Sequence, residues 1–343
     1  MKIAIVNDQP ATVEALRRIV GGVPGYSIAW VAGNGPIAVE KCAADKPDLI
    51  LMGVQLPVMD GVEATRRIMA ATPCPILIVT SSVDKHYAQV FDAMGHGALD
   101  AVNTPEPGGG APLLQKILMI QNLRAPYQPA PGHTTASAGQ FIPDLPPLLL
   151  VGASTGGPQA VSAVLSLLPA NFDLAVVIIQ HLGSEFADGL RAWLGDRSAL
   201  PVVLAAEGAT PRAGTVYVAC TNHHLVLQPK QTFHYTPQPE DCPYRPSVDA
   251  FFRSAGCRWP RKGIAVLLTG MGRDGAQGLL ELRQAGWHTV TQNEATCVVF
   301  GMPKAAAELK AASEVLPLDC IGAACLKYWK TQLRGQGARK KNA

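Results

Sequence analysis

Nowhere does the 343-residue chain hold an apolar run of about 18 residues, the length a membrane-crossing helix needs. Its opening, MKIAIVND, carries an apolar stretch too short for a secretory signal and no small-residue cleavage site, so a cytoplasmic protein is expected. Cysteine occurs eight times but never as C-x-x-C, which argues against a zinc ribbon or a redox pair and points to reduced thiols. Charge is sparse, at 16% of residues, and the net charge of +3 is too small for a nucleic-acid binder. What the chain has in quantity is apolar residues, 48% of the total. That excludes a disordered protein and can fill two cores of ordinary size. Residues 1–124 carry a net charge of −1 and the remainder +4, part of the excess lying in the tail RGQGARKKNA. A frayed, solvated end is the plain reading of that tail.

Short apolar runs alternate with segments of helical period. KIAIV (2–6), SIAWVAG (27–33), DLILM (48–52), PILIVTS (75–81) and ALDAVNT (98–104) each precede a helix-like stretch. Five such βα units in 123 residues predict a doubly wound parallel sheet of flavodoxin-like type. Residues 124–147 are rich in Pro, Ala, Gly, Ser and Thr without a period, as in a linker. A second doubly wound α/β domain is expected over 148–334, followed by the basic tail 335–343. Within it LLLVGAS, DLAVVIIQHL, GIAVLLTG and HTVTQ read as strands, and TVYVA (215–219) with HLVLQ (224–228) as a hairpin around CTNH.

GASTG (152–156) has the form G-x-S-x-G at a strand-to-helix turn, which lifts the Ser154 hydroxyl above the sheet edge and aims a helix N-terminus at it. The alternative is a phosphate-binding loop, although GASTGGP has no Walker lysine and does not match G-x-G-x-x-G. A serine nucleophile needs a base, and His181 follows DLAVVIIQ at a strand end, where open α/β sheets build their sites. Asp274, in TGMGRDGA after a third strand, is the candidate carboxylate to orient that imidazole; it fits equally well as the N-cap of the helix that follows it. The amides of Thr155, Met271 and Gly272 are candidates for an oxyanion pocket. The order Ser, His, Asp is not that of α/β-hydrolases. Cys220 and His223, with His224, His234 and Cys242 downstream, are spaced loosely like metal ligands; hairpin residues near the surface are the preferred reading. Arg258, Arg261 and Lys262 could face an acidic partner, with a solvated surface as the plainer role.

GASTGG, the QHL that follows, TGMGRDGA and QNEATCVVFGMPKAA (292–306), in that order, resemble the chemotaxis-type protein-glutamate methylesterases, the CheB family. NDQPATVEALRRIV and AMGHGALDAV are similar to its WspF-type members of surface-sensing pathways. The resemblance implies a receiver domain, a linker and a catalytic domain. It implies hydrolysis of glutamate methyl esters, and deamidation of glutamines, on methyl-accepting chemoreceptors, without a metal or organic cofactor. Ser154 would be nucleophile, His181 acid and base, and Asp274 the orienting carboxylate. A chemosensory histidine kinase is a further possible partner, and docking on receptors or kinase without turnover is the alternative function.

In receivers resembling this one, phosphorylation of an aspartate after the third strand relieves a block of the catalytic cleft. Here Asn7 and Asp8 stand at the acidic pair, Thr80 at the hydroxyl position, Gly53 at the phosphoacceptor and Thr104 where a lysine is expected. Gly53 offers no oxygen to attack phosphorus, and Asp8 is left as a weak remnant of a Mg²⁺ site. Asp48, five residues upstream and roughly 16 Å away along the strand, is not expected to reach the site, nor is Asp60, a helix cap by its position. The receiver is therefore expected not to accept phosphate.

Overall fold

The computed structural model describes residues 1–81, 83–106, 109–121, 145–240, 242 and 244–334. The expected linker falls mostly on 122–144, and the basic tail on 335–343; both lie outside the described residues. The chain divides into two compact units, Met1–Pro126 and Tyr127–Ala343. No helix among the described residues is long and apolar enough to cross a membrane, and every described cysteine is free.

In the first unit β1 (Lys2–Val6), α1 (Pro10–Gly21), β2 (Ser27–Ala32), α2 (Gly35–Ala44), β3 (Leu49–Gly53), α3 (Gly61–Ala71), β4 (Ile76–Thr80), α4 (Val83–Gly95), β5 (Asp100–Asn103) and α5 (Ala111–Gln121) follow in strict alternation. The strands pair in parallel in the order β2-β1-β3-β4-β5. Helices cover both faces of such a sheet, so its central strands are apolar without interruption: every residue of β3 and β4 is buried. Ile3, Ile5, Leu49, Leu51, Leu77 and Val79 pack with Leu113 and Ile117 of α5 into one core. Two helix starts, those of α2 and α3, are marked by side-chain caps. Asn34 accepts from the Ile37 amide at 3.0 Å, and Asp60 from the Glu63 amide at 2.8 Å.

The second unit contains β6 (Leu148–Ala153), α6 (Gly157–Leu165), β7 (Ala175–Gln180), α7 (Ala187–Gly195), β8 (Val202–Leu204), β9 (Val216–Val218), β10 (His224–Leu227), β11 (Phe233–Thr236), α8 (Val248–Arg258), β12 (Ile264–Leu267), α9 (Ala276–Gln284), β13 (His288–Gln292), α10 (Met302–Glu308), β14 (Glu314–Leu316) and α11 (Leu318–Tyr328). Seven strands form one parallel sheet in the order β14-β13-β12-β6-β7-β9-β8.

Two sequence expectations change here. Val216–Val218 is not half of a hairpin with 224–228: it pairs in parallel with β7 and β8, and β10 instead pairs antiparallel with β11. A parallel partner far along the chain gives no turn signal. The end of the expected linker, 145–147, is packed on this unit. Leu145 is buried, its carbonyl accepts from Arg261, and the Pro146 carbonyl accepts from Trp259 Nε1 at 2.8 Å.

Candidate active site

The crossovers on either side of β6 run in opposite directions along the sheet, and the carboxyl ends of β6, β7 and β12 meet at that switch point. Ser154 directly follows β6 and is buried, with 9% of its surface exposed. Its amide donates to the Thr269 carbonyl at 3.1 Å, tying it to the end of β12. Its carbonyl accepts from the Gly157 amide at 2.8 Å and from Gln180 Nε2 at 2.7 Å. The turn is closed by Gly156 at φ 75°, the left-handed region that suits glycine, and α6 begins with the next residue.

His181 directly follows β7, and its amide donates to the Ala153 carbonyl at 3.0 Å, which sets it beside Ser154. Its ring stacks on Tyr244, with centroids 4.6 Å apart and planes 5° from parallel. His181 Nε2 lies 2.7 Å from Asp274 Oδ2. A carboxylate can only accept there, so Nε2 carries a proton, and in the neutral ring the lone pair is on Nδ1. Nδ1 is buried and has no hydrogen-bond partner among the described residues. The ring is thus held by the nitrogen opposite to the one the aspartate of Ser-His-Asp proteases holds.

Asp274 is buried and does not cap the helix that follows it, as one sequence reading had it: the N-cap of α9 is Gly275. Its carboxylate instead sits at the N-terminus of α8. Oδ2 accepts from the Val248 amide at 2.6 Å, and Oδ1 from the Asp249 amide at 3.0 Å and Ser247 Oγ at 2.8 Å. The close approach needs small residues. A Cβ at Gly152 or Gly275 would collide with Val248, the first residue of α8. Burial acts to raise the Asp274 pKa, but the hydrogen bond and charge of His181 and the two amides outweigh it and hold the group below the usual carboxylate range. The neighbouring Asp249 is raised, first by burial and then by the charge of Asp274.

The loop after β12 carries the remaining candidates. The Gly270 carbonyl accepts from the amides of Gly301 and Met302 at 3.1 and 2.9 Å, so the segment before α10 backs the loop. Among the described residues, nothing accepts a hydrogen bond from the amides of Thr155, Met271 or Gly272. Thr155 follows Ser154 at the α6 N-terminus, and Gly272 packs under the Tyr244 hydroxyl.

The sequence did not point to Ser247 or Tyr244, and it gave Gln180 and His224 no role at this site. Ser247 had a readable signal, a serine before a helical run; the others are tied to the site only by long-range contacts. The loose Cys/His grouping is dispersed. His234 pairs with Glu207, His224 bonds Pro239 and Ser247, and Cys242 Sγ donates to the Tyr244 carbonyl. No group of three metal-ligating side chains occurs among the described residues. Arg261 contacts Leu145, and Lys262 leads into the amino end of β12, so this basic stretch lies at the sheet edge opposite Ser154. It does not border the site.

The profile of the CheB methylesterase family matches residues 149–325, and that of the response regulator receiver domain residues 3–108. Across 94% of its length the chain is 51% identical to a protein-glutamate methylesterase/protein-glutamine glutaminase of Mesorhizobium japonicum, 97% of which is covered. The chain belongs to the CheB methylesterase family. A protein of the same name from Pseudomonas fluorescens is 49% identical, with 96% of this chain and 99% of that one covered. The catalytic domain of CheB methylesterase from Thermotoga maritima, a solved structure, is 34% identical with a TM-score of 0.51, covering 53% of this chain and 98% of that one. The CheB profile thus spans β6 to α11 and includes Ser154, His181 and Asp274.

In the receiver unit, Gly53 ends β3 and is buried. Asn7 Oδ1 accepts from the Gln9 amide at 2.9 Å, and Asp8 is exposed. Thr80 Oγ1 lies 3.2 Å from His86 Nδ1, and the Thr104 amide donates to the Thr80 carbonyl at 2.7 Å. Asp48 is bound to the Lys2 amide at 2.7 Å, at the opposite end of the sheet. Asp60 differs from expectation: while capping α3, it lines the same open depression as Asp8, with Gln55, Leu56, Pro57 and Gln89.

Proposed function

We propose that this chain hydrolyses the γ-methyl esters of glutamate side chains on methyl-accepting chemoreceptors, and deamidates glutamine side chains there, through Ser154, His181 and Asp274. The printed names of its relatives supply protein glutamate methyl esters and protein glutamines as the groups acted on; the chemoreceptor as their carrier follows from the resemblance of the motifs. The observation that carries the chemistry is the 2.7 Å bond from His181 Nε2 to buried Asp274, which makes Nδ1 the basic nitrogen of the neutral ring, on a residue whose amide is bound to Ala153, the chain neighbour of Ser154. Nδ1 takes the Ser154 proton as Oγ attacks the ester carbonyl carbon. The carbonyl oxygen becomes an oxyanion, for which the amides of Thr155, Met271 and Gly272 and the α6 N-terminus are the available donors. Collapse expels methoxide, which leaves as methanol with the proton from Nδ1. Water, deprotonated by the same nitrogen, then cleaves the glutamyl-serine ester. A glutamine side chain follows the same route with ammonia as leaving group. Asp274 stays ionised throughout and stabilises the imidazolium.

In the receiver, the same reading makes Gly53 the loss of the phosphate input. Gly53 has no nucleophilic oxygen, and the Asp60 carboxylate is engaged at the Glu63 amide. Mg²⁺ does not fit the donors present. Asp8 is the one carboxylate of the usual set, and Asn7 Oδ1 is engaged with Gln9.

Methanol release from a methylated chemoreceptor cytoplasmic fragment tests the first part. Activity in wild type and loss in Ser154→Ala is the expected result, whereas equal inactivity of both would favour a docking module. Incubation with a small phosphodonor and Mg²⁺ tests the second part; intact mass should stay unchanged, and a phosphoryl adduct on residues 1–126 would overturn it.

A further inference from the structure

Behind Asp274 lies a second layer that the chemistry above does not use. Ser247 is the N-cap of α8, and its hydroxyl accepts from the Ala250 amide at 3.2 Å and donates to Asp274 Oδ1 at 2.8 Å. The Ser247 backbone amide donates to His224 Nδ1 at 3.1 Å, and His224 Nε2 lies 3.1 Å from the Pro239 carbonyl. One ring nitrogen faces a donor and the other an acceptor. This fixes the proton on Nε2 and requires a neutral ring, since a protonated Nδ1 would oppose the Ser247 N–H. His224 is fully buried and begins β10, which packs on α8; its neighbour Leu225 belongs to the core of the unit.

We infer that neutral His224 is a positioning residue for the esterase reaction, setting the Asp274 carboxylate through Ser247 and thereby the orientation of His181. The chain of bonds is continuous: Pro239 carbonyl, His224, Ser247, Asp274, His181. Its effect is geometric. The Ser247 amide is buried and must have an acceptor, and His224 supplies one at a fixed place in the core. Ser247 can then present its hydroxyl to Oδ1 while the Val248 amide holds Oδ2. Without His224, the Ser247 amide has to find another acceptor, and the start of α8 shifts relative to Asp274. The inference rests on the assignment of Asp274 as the orienting carboxylate.

The test measures kcat and KM for methanol release by the full-length protein acting on a methylated chemoreceptor fragment, with thermal denaturation alongside. His224→Leu and Ser247→Ala should each lower kcat about tenfold, as outer-layer partners of a site do, and leave KM unchanged. His224→Gln offers an acceptor and a donor from one side chain and should restore most of the loss. In an Asp274→Asn background neither substitution should lower kcat further, because each acts through that carboxylate. If His224→Leu does not fold, Ser247→Ala and His224→Gln carry the comparison. Wild-type kcat in folded His224→Leu, or an equal fall with and without Asp274, overturns the inference alone. Wild-type kcat in Asp274→Asn overturns the assignment of Asp274, and the inference with it.

Discussion

Both units place their chemistry at the carboxyl edge of a parallel sheet, yet the two edges are built in opposite ways. At the end of β6, Ser154 stands beside a histidine whose carboxylate partner takes three further hydrogen bonds from the start of α8. At the end of β3, Gly53 has no side chain and its neighbours stand close. A Cβ there would lie 3.0 Å from Asn7 Nδ2, 3.0 Å from the Val6 carbonyl and 3.2 Å from a Leu56 methyl. The lesson is that one sheet edge is a site because many distant elements contribute a donor or acceptor to it. The other has the strand end and loop of such an edge, with a glycine at its centre.

Breaking the catalytic edge should have the largest effect. Asp274→Asn changes the group that fixes the His181 proton, and kcat for methanol release should fall by about 10³- to 10⁴-fold, as for the equivalent change in serine proteases. Trying to rebuild the receiver edge should have a smaller effect of a different kind. Gly53→Asp would place a carboxylate at the end of β3, with Thr104 still standing where a lysine is expected. The structure predicts an overpacked strand end, because the Val6 carbonyl belongs to β1 and yields little. Chemical denaturation should show a loss of about 1–3 kcal/mol, with no phosphoryl adduct by intact mass.

Acid should separate the two units further. Burial is the main cause that lowers the His224 pKa; the Pro239 carbonyl and the Asp274 charge oppose it, and the charges of Arg245 and His223 add to it. A histidine depressed in the folded state contributes stability that is complete above its unfolded value of about 6.5 and declines as the pH falls through the folded value. Asp274, also depressed, adds a contribution lost at still lower pH. Thermal scans below about pH 6.5 should therefore show a falling Tm for wild type and a shallower fall for His224→Gln. The smallest effect is expected from Asp60→Ala. It should cost about 1 kcal/mol by removing the α3 cap and leave the response to a phosphodonor unchanged, which marks Asp60 as a cap that happens to line the depression.

The apolar runs made the long strands legible: KIAIV, DLILM, LLLVGA and AVVIIQ are buried along their whole length or nearly so, and such runs have few other uses. The three-residue strands β8, β9 and β14 were misread or missed, because three residues carry no period and their parallel partners are remote. At the site, Ser154 and His181 were legible because each directly follows a strand. Asp274 was legible as a residue but not in its attachment: a helix start next in sequence competes with one that arrives from 26 residues upstream, and only packing decides. His224 was read as part of an exposed hairpin turn, since nothing near it in the chain indicates a buried ring between Pro239 and Ser247.

The four bonds received by Asp274 have a consequence beyond turnover. Three of them join the loop after β12 to the start of α8 and the fourth joins it to the end of β7, so the same carboxylate also fastens parts of the second unit together. Truncation to Asp274→Ala, which leaves all of those donors without an acceptor, would be expected to yield unstable chains that vanish from the cell, whereas Asp274→Asn keeps one acceptor oxygen and persists. An intact but silent form of the enzyme is more readily reached at Ser154, whose hydroxyl makes no hydrogen bond among the described residues, the bonds of this residue being made by its backbone.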